Sequence, residues 1–391
     1  MQNGDQGDAW WNERIAEFKK LYPNVTIKQE IVPYGQAADK LGAYRTAGSG
    51  PDVMEISDGA YLLGFADMLM PLNGLIDLST YNGAEAGCED FDCTKAIYGV
   101  PWTAQGHPLY FNKAVLKAAG LDPANPPKTW NDMDAACTKI KAIGKACIAA
   151  GPKDFGGLTE LMALLNTTAS VDECAGLHSG TTHGTDPWFV NAFALWADMA
   201  KRGWFQKGVA DANLAPEAQD LFTSGGSGFY TGLMGDAYDW KHLGAILKED
   251  LGVYLGPQFE QGSPLPGVGP GQLSGSLDVT GGEAFSVAKW TKAPAEAVAF
   301  VKFMTGPDAA VAITDAGSYP ATKVWDSKSI GSAALDQLIL MAGESKGACW
   351  MYLDAPVYDV MIKQSQLLLV GQSTPEKAGQ AVEAAMIDVR P

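Results

Sequence analysis

Apolar residues return at two periods along this chain, and the two periods alternate. Ile15, Phe18 and Leu21 share one face of a helix over Glu13–Leu21 that Pro23 closes. Val25–Val32 then alternates apolar and polar positions, which predicts a strand, and Gln36–Arg45 returns to helical spacing. Further helices are predicted over Ala60–Leu69 with Pro71 as its stop, Thr129–Ile143 with Thr129 as its cap, Leu158–Asn166 and Asp186–Lys201. Towards the C-terminus they continue over Ala293–Met304, Gly306–Ile313, a run from Val357, and Pro375–Met386. Short strands are predicted over Tyr98–Trp102, Pro108–Asn112, Ala146–Ala150 and Gly281–Val287. Helices and strands in alternation read as an α/β fold. Between the strands at 98–102 and 108–112 lie Thr103, Ala104, Gln105, Gly106 and His107. Small residues and glycine there suit either an ordinary loop or a crossover between two lobes.

Length favours the crossover, because 391 residues exceed the size at which one core stops growing. No run of eighteen apolar residues occurs, so no spanning helix is predicted. Met1 opens no basic, apolar secretory leader, so an exported form is expected to take its leader from outside this numbering. With 45 acidic against 28 basic side chains, the formal charge of −17 repels phosphate backbones and anionic lipid. Nucleic acid is therefore not expected as a partner, and a neutral or cationic ligand fits better. The same acidity also serves plain solubility.

Six cysteines form an even set without a Cys-x-x-Cys pair or a zinc-type histidine. Cys88 and Cys93 bracket an acidic loop, and Cys137 and Cys147 flank the junction of a predicted helix and strand. Both pairs suit local disulfides, Cys174 and Cys349 pair by elimination, and such bonds place the chain outside the cytoplasm. Six buried thiols are the alternative. The four histidines make no His-Glu-x-x-His, and there is no Gly-x-Ser-x-Gly elbow or phosphate loop. Pro264–Gly275 is irregular, and its Gly267-Val-Gly-Pro-Gly271 is a poor nucleotide fingerprint because proline interrupts it. No cofactor or metal is expected.

One ordered series of segments is more specific. Gly99-Val-Pro-Trp102, Leu109-Tyr-Phe-Asn-Lys113, Ala119-Gly-Leu121 and Pro127-Lys-Thr-Trp130 follow one another, preceded by Gly50-Pro-Asp-Val53. The series resembles the first interdomain passage of family 1 extracellular solute-binding proteins, the maltose-binding-protein-like sugar receptors of ABC transporters. The resemblance implies a two-lobed periplasmic-binding-protein fold, type II-like, with a hinge of three crossovers. Its lobes are expected at 1–104 with 277–317 and at 106–276 with 319–391, the third crossing passing at Pro320. It also implies a strand ahead of the loop entering the first helix, where only Met1–Asn3 stand here.

The resemblance places ligand contacts at Trp10 and Trp11, then at Asp58 and Tyr61 after the Gly50-Pro-Asp-Val53 strand. It adds Gln105 and His107 in the first crossover, Asp154 and Phe155 in the loop after the strand at 146–150, and Glu283, Tyr319, Trp350 and Tyr352 near later crossings. In Leu221–Trp240 the Gly235-Asp236 pair matches the family, while Ala237 and Tyr238 stand where its tryptophan is expected and Trp240 follows further on, so either Tyr238 or Trp240 is the ring implied to face the ligand. Each ring is equally suited to a core, and Asp58 to a helix cap. The implied function is capture of a mono- or oligosaccharide between the lobes and its delivery to ABC permease subunits, by a monomer without catalysis. Aromatic faces stack on sugar C–H faces while Asp, Gln, Glu and His bind hydroxyls. The implied location is extracytoplasmic, periplasmic or as a lipoprotein anchored at the outer face of the cell membrane. A secreted glycoside hydrolase, which needs two carboxylates, or a receptor for a non-sugar neutral or cationic solute are the alternatives.

Overall fold

The computed structural model describes residues 7–33, 36–234, 240–258, 271–324 and 332–390. Asp236, Tyr238 and the greater part of the Pro264–Gly275 run lie outside the described residues. The described residues of 7–105 and 280–324 form one compact unit, and those of 106–279 and 332–390 a second. Unit 1 opens with α1 (Gly7–Leu21), α2 (Ala37–Ala47), β1 (Val53–Ser57), α3 (Ala60–Leu63), β2 (Val100–Pro101) and β3 (Ala104–Gln105). The chain then enters unit 2 through β4 (Leu109–Asn112), α4 (Lys113–Ala118), α5 (Trp130–Ala142), β5 (Ala146–Ala149) and α6 (Gly156–Thr168). Unit 2 continues with α7 (Val171–Ser179), α8 (Pro187–Lys201), α9 (Gln219–Thr223), β6 (Ser227–Thr231), α10 (Trp240–Leu247) and β7 (Leu251–Tyr254). β8 (Thr280–Gly281), β9 (Glu283–Val287), α11 (Pro294–Thr305) and α12 (Pro307–Asp315) return to unit 1. α13 (Ala333–Gly343), α14 (Ala355–Leu369) and α15 (Pro375–Val389) complete unit 2.

In unit 1 an antiparallel sheet of order β1-β9-β2 sets Val53 opposite Val287 and Val100 opposite Phe285. Its core is aromatic: Trp102 lies 6.0 Å from Trp11 and 5.7 Å from Phe285, and Phe18 meets Phe300 edge-on at 5.1 Å. A separate ribbon pairs β3 with β8, Ala104 opposite Gly281. Gly83 is held at φ 66° against this ribbon, where a Cβ would stand 1.7 Å from the Gly281 nitrogen. Only glycine fits that approach.

Three expectations change in unit 1. Val25–Val32 is extended with a single bridge at Ile31, and it forms no named strand among the described residues. The helix expected over 60–69 stops at Leu63, and a single tight turn at Ala66–Met68 follows, because Gly64 interrupts the run. Residues 319–324, assigned by sequence to the C-terminal lobe, pack in unit 1. Their backbone is satisfied there, with Ala104 N–H donating to Tyr319 O at 2.9 Å and Ala321 N–H to Trp102 O at 3.0 Å.

Unit 2 has a four-stranded sheet of order β5-β6-β4-β7, parallel only between β5 and β6. Fully buried Phe189, Phe193 and Trp196 project from α8, and the Trp196 indole donates to Ser365 O of α14 at 3.0 Å. α5 starts on a reciprocal cap between Thr129 and Asp132, and α7 on the same device between Ser170 and Glu173. The three disulfides form with the expected partners, Cys88–Cys93 in unit 1 and Cys137–Cys147 and Cys174–Cys349 in unit 2. Cys137–Cys147 fastens α5 to β5, and Cys174–Cys349 fastens α7 to the turn before Trp350. Among the described residues no helix is long and apolar enough to cross a membrane.

Candidate functional site

Within unit 1, the polar candidates gather where β1 ends and the β3–β8 ribbon begins. Asp58 follows β1 directly, and its N–H points to Gly282 O at 3.4 Å. Its side chain is fully buried, and neither carboxylate oxygen has a hydrogen-bond partner among the described residues. Burial, reinforced by the Glu85 carboxylate, raises its pKa well above the usual carboxylate range. A buried carboxyl without a donor is costly, so this position gains most from a ligand hydroxyl or cation. Glu283 is half-buried on β9 and accepts from the Ser57 hydroxyl at 2.8 Å, while its N–H donates to Thr103 Oγ1 at 3.1 Å. Gln105 pairs with Thr280 in the ribbon. Tyr61 on α3 and Tyr319 are buried, and burial raises the Tyr319 phenol above its ordinary value.

The two N-terminal tryptophans divide. Trp11 is 2% exposed and packs on Trp102 and Phe285, which makes it core. Trp10 is half-buried, donates to Ala312 O at 2.9 Å and lies 5.5 Å from the Trp102 ring.

Within unit 2, His107 is the centre of a fixed polar group. Its N–H donates to Asp278 Oδ1 at 2.9 Å, and its ring Nδ1 lies 2.5 Å from Asp278 Oδ2. Both side chains are buried, so the two contacts to Asp278 fix the position and orientation of the imidazole. Trp350 meets the imidazole edge-on at 6.5 Å, and its buried indole N–H has no acceptor among the described residues. Tyr352 shares the same short turn and is also buried.

Asp154 is spent on local structure. Its Oδ1 accepts from Gly156 N–H at 3.0 Å and Leu214 N–H at 3.1 Å, pinning the loop that starts α6. Phe155 beside it is half-buried. Trp240 opens α10 with 2% exposure, and its indole N–H has no acceptor among the described residues.

The structure adds polar residues that sequence reasoning missed. Asp278 orients His107 across 171 positions, and no local pattern announces that partnership. Glu160 sits on α6 beside Thr231 and Tyr254 at the ends of β6 and β7, and burial pushes its carboxyl up to about 8. A lone glutamate within an otherwise apolar helical run, Leu158-Thr-Glu-Leu-Met162, is the signal that was available.

The sequence profile of the family described as bacterial extracellular solute-binding protein matches residues 3–311. The chain belongs to that family. Its relatives include the sn-glycerol-3-phosphate-binding periplasmic protein UgpB of Brucella abortus (strain 2308), 30% identical over 298 residues, 66% of this chain and 63% of the relative. The UgpB of Agrobacterium fabrum is 34% identical over 194 residues, covering 47% of this chain and 40% of that protein. This solute-binding chain thus spans less than two thirds of the length of these relatives. Among solved structures, a chitin oligosaccharide binding protein superposes with a TM-score of 0.82 at 20% identity, over 97% of this chain and 94% of that one. A maltose-bound MalE3 of T. maritima does so at 0.75 and 20%, over 97% and 96%. These likenesses establish the two-lobed α/β solute-binding fold.

Proposed function

We propose that this solute-binding protein captures a mono- or oligosaccharide outside the cytoplasm and delivers it to the permease of an ABC transporter, without transforming it. Contacts come from both units: Asp58, Tyr61, Gln105, Glu283 and Tyr319 from one, His107, Trp350 and Tyr352 from the other, with Asp236 and Tyr238 completing the set. Family membership supports solute capture. The charge of the candidates carries the choice of ligand: they include carboxylates and an imidazole but no lysine or arginine. A phosphate ester calls for cationic donors, which favours a neutral polyol over glycerol 3-phosphate for this chain. At roughly 0.3 kcal/mol per heavy atom, a disaccharide of about two dozen atoms binds with about −7 kcal/mol, in the micromolar range.

A thermal-shift series tests the reading, because a ligand that binds only the folded chain raises its melting temperature. Mono- to tetrasaccharides are compared with sn-glycerol 3-phosphate and chromogenic glycosides. A saccharide should raise the melting temperature, glycerol 3-phosphate should not, and no glycoside should be hydrolysed. A shift with glycerol 3-phosphate alone would overturn the ligand class, and turnover of a glycoside would overturn the binding-protein reading.

A further inference from the structure

One face of the unit 2 sheet changes character at its end. Register sets Phe111 opposite Phe229 and Gly252, and two residues earlier on β4 it sets Leu109 opposite Thr231 and Tyr254. Residues two apart share a face, so Phe229, Phe111 and Gly252 make an apolar row, and Thr231, Leu109 and Tyr254 make the next. The Phe111 ring meets the Tyr254 ring edge-on at 5.6 Å, as neighbours on one face do. This second row is the last of the sheet, because Thr231 ends β6, Tyr254 ends β7 and Leu109 opens β4. β5, β6 and β7 run in one direction, so the polar row stands at the carboxyl edge, where open α/β sheets receive their ligands. Glu160 adds a carboxyl from the second turn of α6, whose start Asp154 pins.

These polar groups do little for the fold. Thr231 is 3% exposed and Glu160 7%, and Tyr254 is half-buried with its hydroxyl covered. Neither the Thr231 nor the Tyr254 hydroxyl has a hydrogen-bond partner among the described residues. The Thr231 hydroxyl approaches the Glu160 carboxyl without closing a hydrogen bond, and burial pushes that carboxyl up to about 8, which leaves it uncharged at neutral pH. Two orphaned hydroxyls beside a buried acid lower stability where valine and phenylalanine would not, so a partner that arrives with a ligand accounts for them. We propose that Glu160, Thr231 and Tyr254 form a polar subsite of unit 2 that takes a hydroxyl group of the bound solute. The inference rests on the saccharide reading above and names residues that select among saccharides. All three groups both donate and accept when the carboxyl is uncharged, which matches a sugar hydroxyl. An ammonium calls for a charged carboxylate and a phosphate for cationic donors, and the subsite offers neither.

The test reads stability and affinity in the same variants. Thr231→Val and Tyr254→Phe each remove one hydroxyl at nearly constant shape. Both unliganded variants should melt at or above the temperature of the native chain, because an orphaned buried group is gone. Each saccharide of the mono- to tetrasaccharide series is then titrated calorimetrically into the native chain and the variants. Those that bind the native chain should bind each single variant at least fivefold more weakly, and the double variant at least twentyfold. Unchanged affinity in both variants, with the native chain still binding a saccharide, would overturn the subsite and leave the saccharide reading standing. A fall of several degrees in both unliganded melting temperatures would make the hydroxyls part of the fold and overturn the subsite as well. Binding of no saccharide of the series by the native chain would overturn the saccharide reading itself, and this inference with it.

Discussion

The two units solve the same problem, a sheet that must be covered and held, with different means. Unit 2 closes a four-stranded sheet under buried α6 and α8, carries two disulfides, and pairs its buried His107 with Asp278. Among its described residues unit 1 has a three-stranded sheet and a separate two-stranded ribbon, one short clip at Cys88–Cys93, a groove beside β1, and a buried Asp58 whose oxygens have no hydrogen-bond partner. Two buried acids at the same depth thus differ: Asp278 in unit 2 is held against His107, and neither Asp58 oxygen in unit 1 has a hydrogen-bond partner among the described residues.

The largest expected effect sharpens this contrast through the disulfides. Cys174–Cys349 closes a separation of 175 residues and Cys88–Cys93 one of 5. In the chain-entropy account the first contributes roughly 5 kcal/mol and the second roughly 2 kcal/mol. Denaturant titration of the Cys174→Ser, Cys349→Ser double variant should therefore lose far more stability than that of Cys88→Ser, Cys93→Ser. Equal losses would break the distinction between the units.

Next comes His107→Ala, which strands the buried Asp278 carboxylate and should cost roughly 3–5 kcal/mol of unfolding free energy. His107→Gln, which can still donate to Asp278, should recover a good part of it. A loss below about 1 kcal/mol for His107→Ala would show that the pair is not a structural fixture.

A smaller effect follows from Glu160. Its folded-state pKa is raised from 4.5 to about 8, so between those values the folded state holds a proton that the unfolded state has released. Stability therefore falls as pH rises through that window, by at most about 1.4 kcal/mol per pH unit. Melting curves across the window should show this slope in the native chain and a flatter one in Glu160→Gln. Identical slopes would sink the assignment.

Asp58→Asn closes the series with an effect near zero on the unliganded chain. No hydrogen bond is lost, and the desolvated carboxyl becomes a neutral amide, so the melting temperature should hold or rise slightly. Saccharide affinity should fall by tenfold or more. A clear loss of stability would make Asp58 a fixture like Asp278 and remove the contrast with which the comparison began.

Local chemistry settled a large part of this protein before any tertiary contact was considered. The caps at Thr129 and Ser170 start helices because a side-chain oxygen three residues from an unpaired N–H acts wherever the helix later docks. The apolar face of Asp186–Lys201 specified a buried helix, and the even, closely spaced cysteines specified their local pairs. Tertiary structure decided what depends on distant neighbours. Val25–Val32 has the alternation of a strand, but ladder pairing depends on a neighbour, and among the described residues the run carries only a single bridge, at Ile31. Trp11 and Trp240 are both buried at 2% exposure, which no local pattern announces because burial depends on what packs over a ring. Asp58 and Asp278 are the same residue type at the same depth. Only the fold brings a histidine from 171 positions away to one and leaves the other without a partner among the described residues. Capping and periodicity act within a few residues and are written locally, whereas pairing and desolvation act across the chain and arise only when it closes on itself.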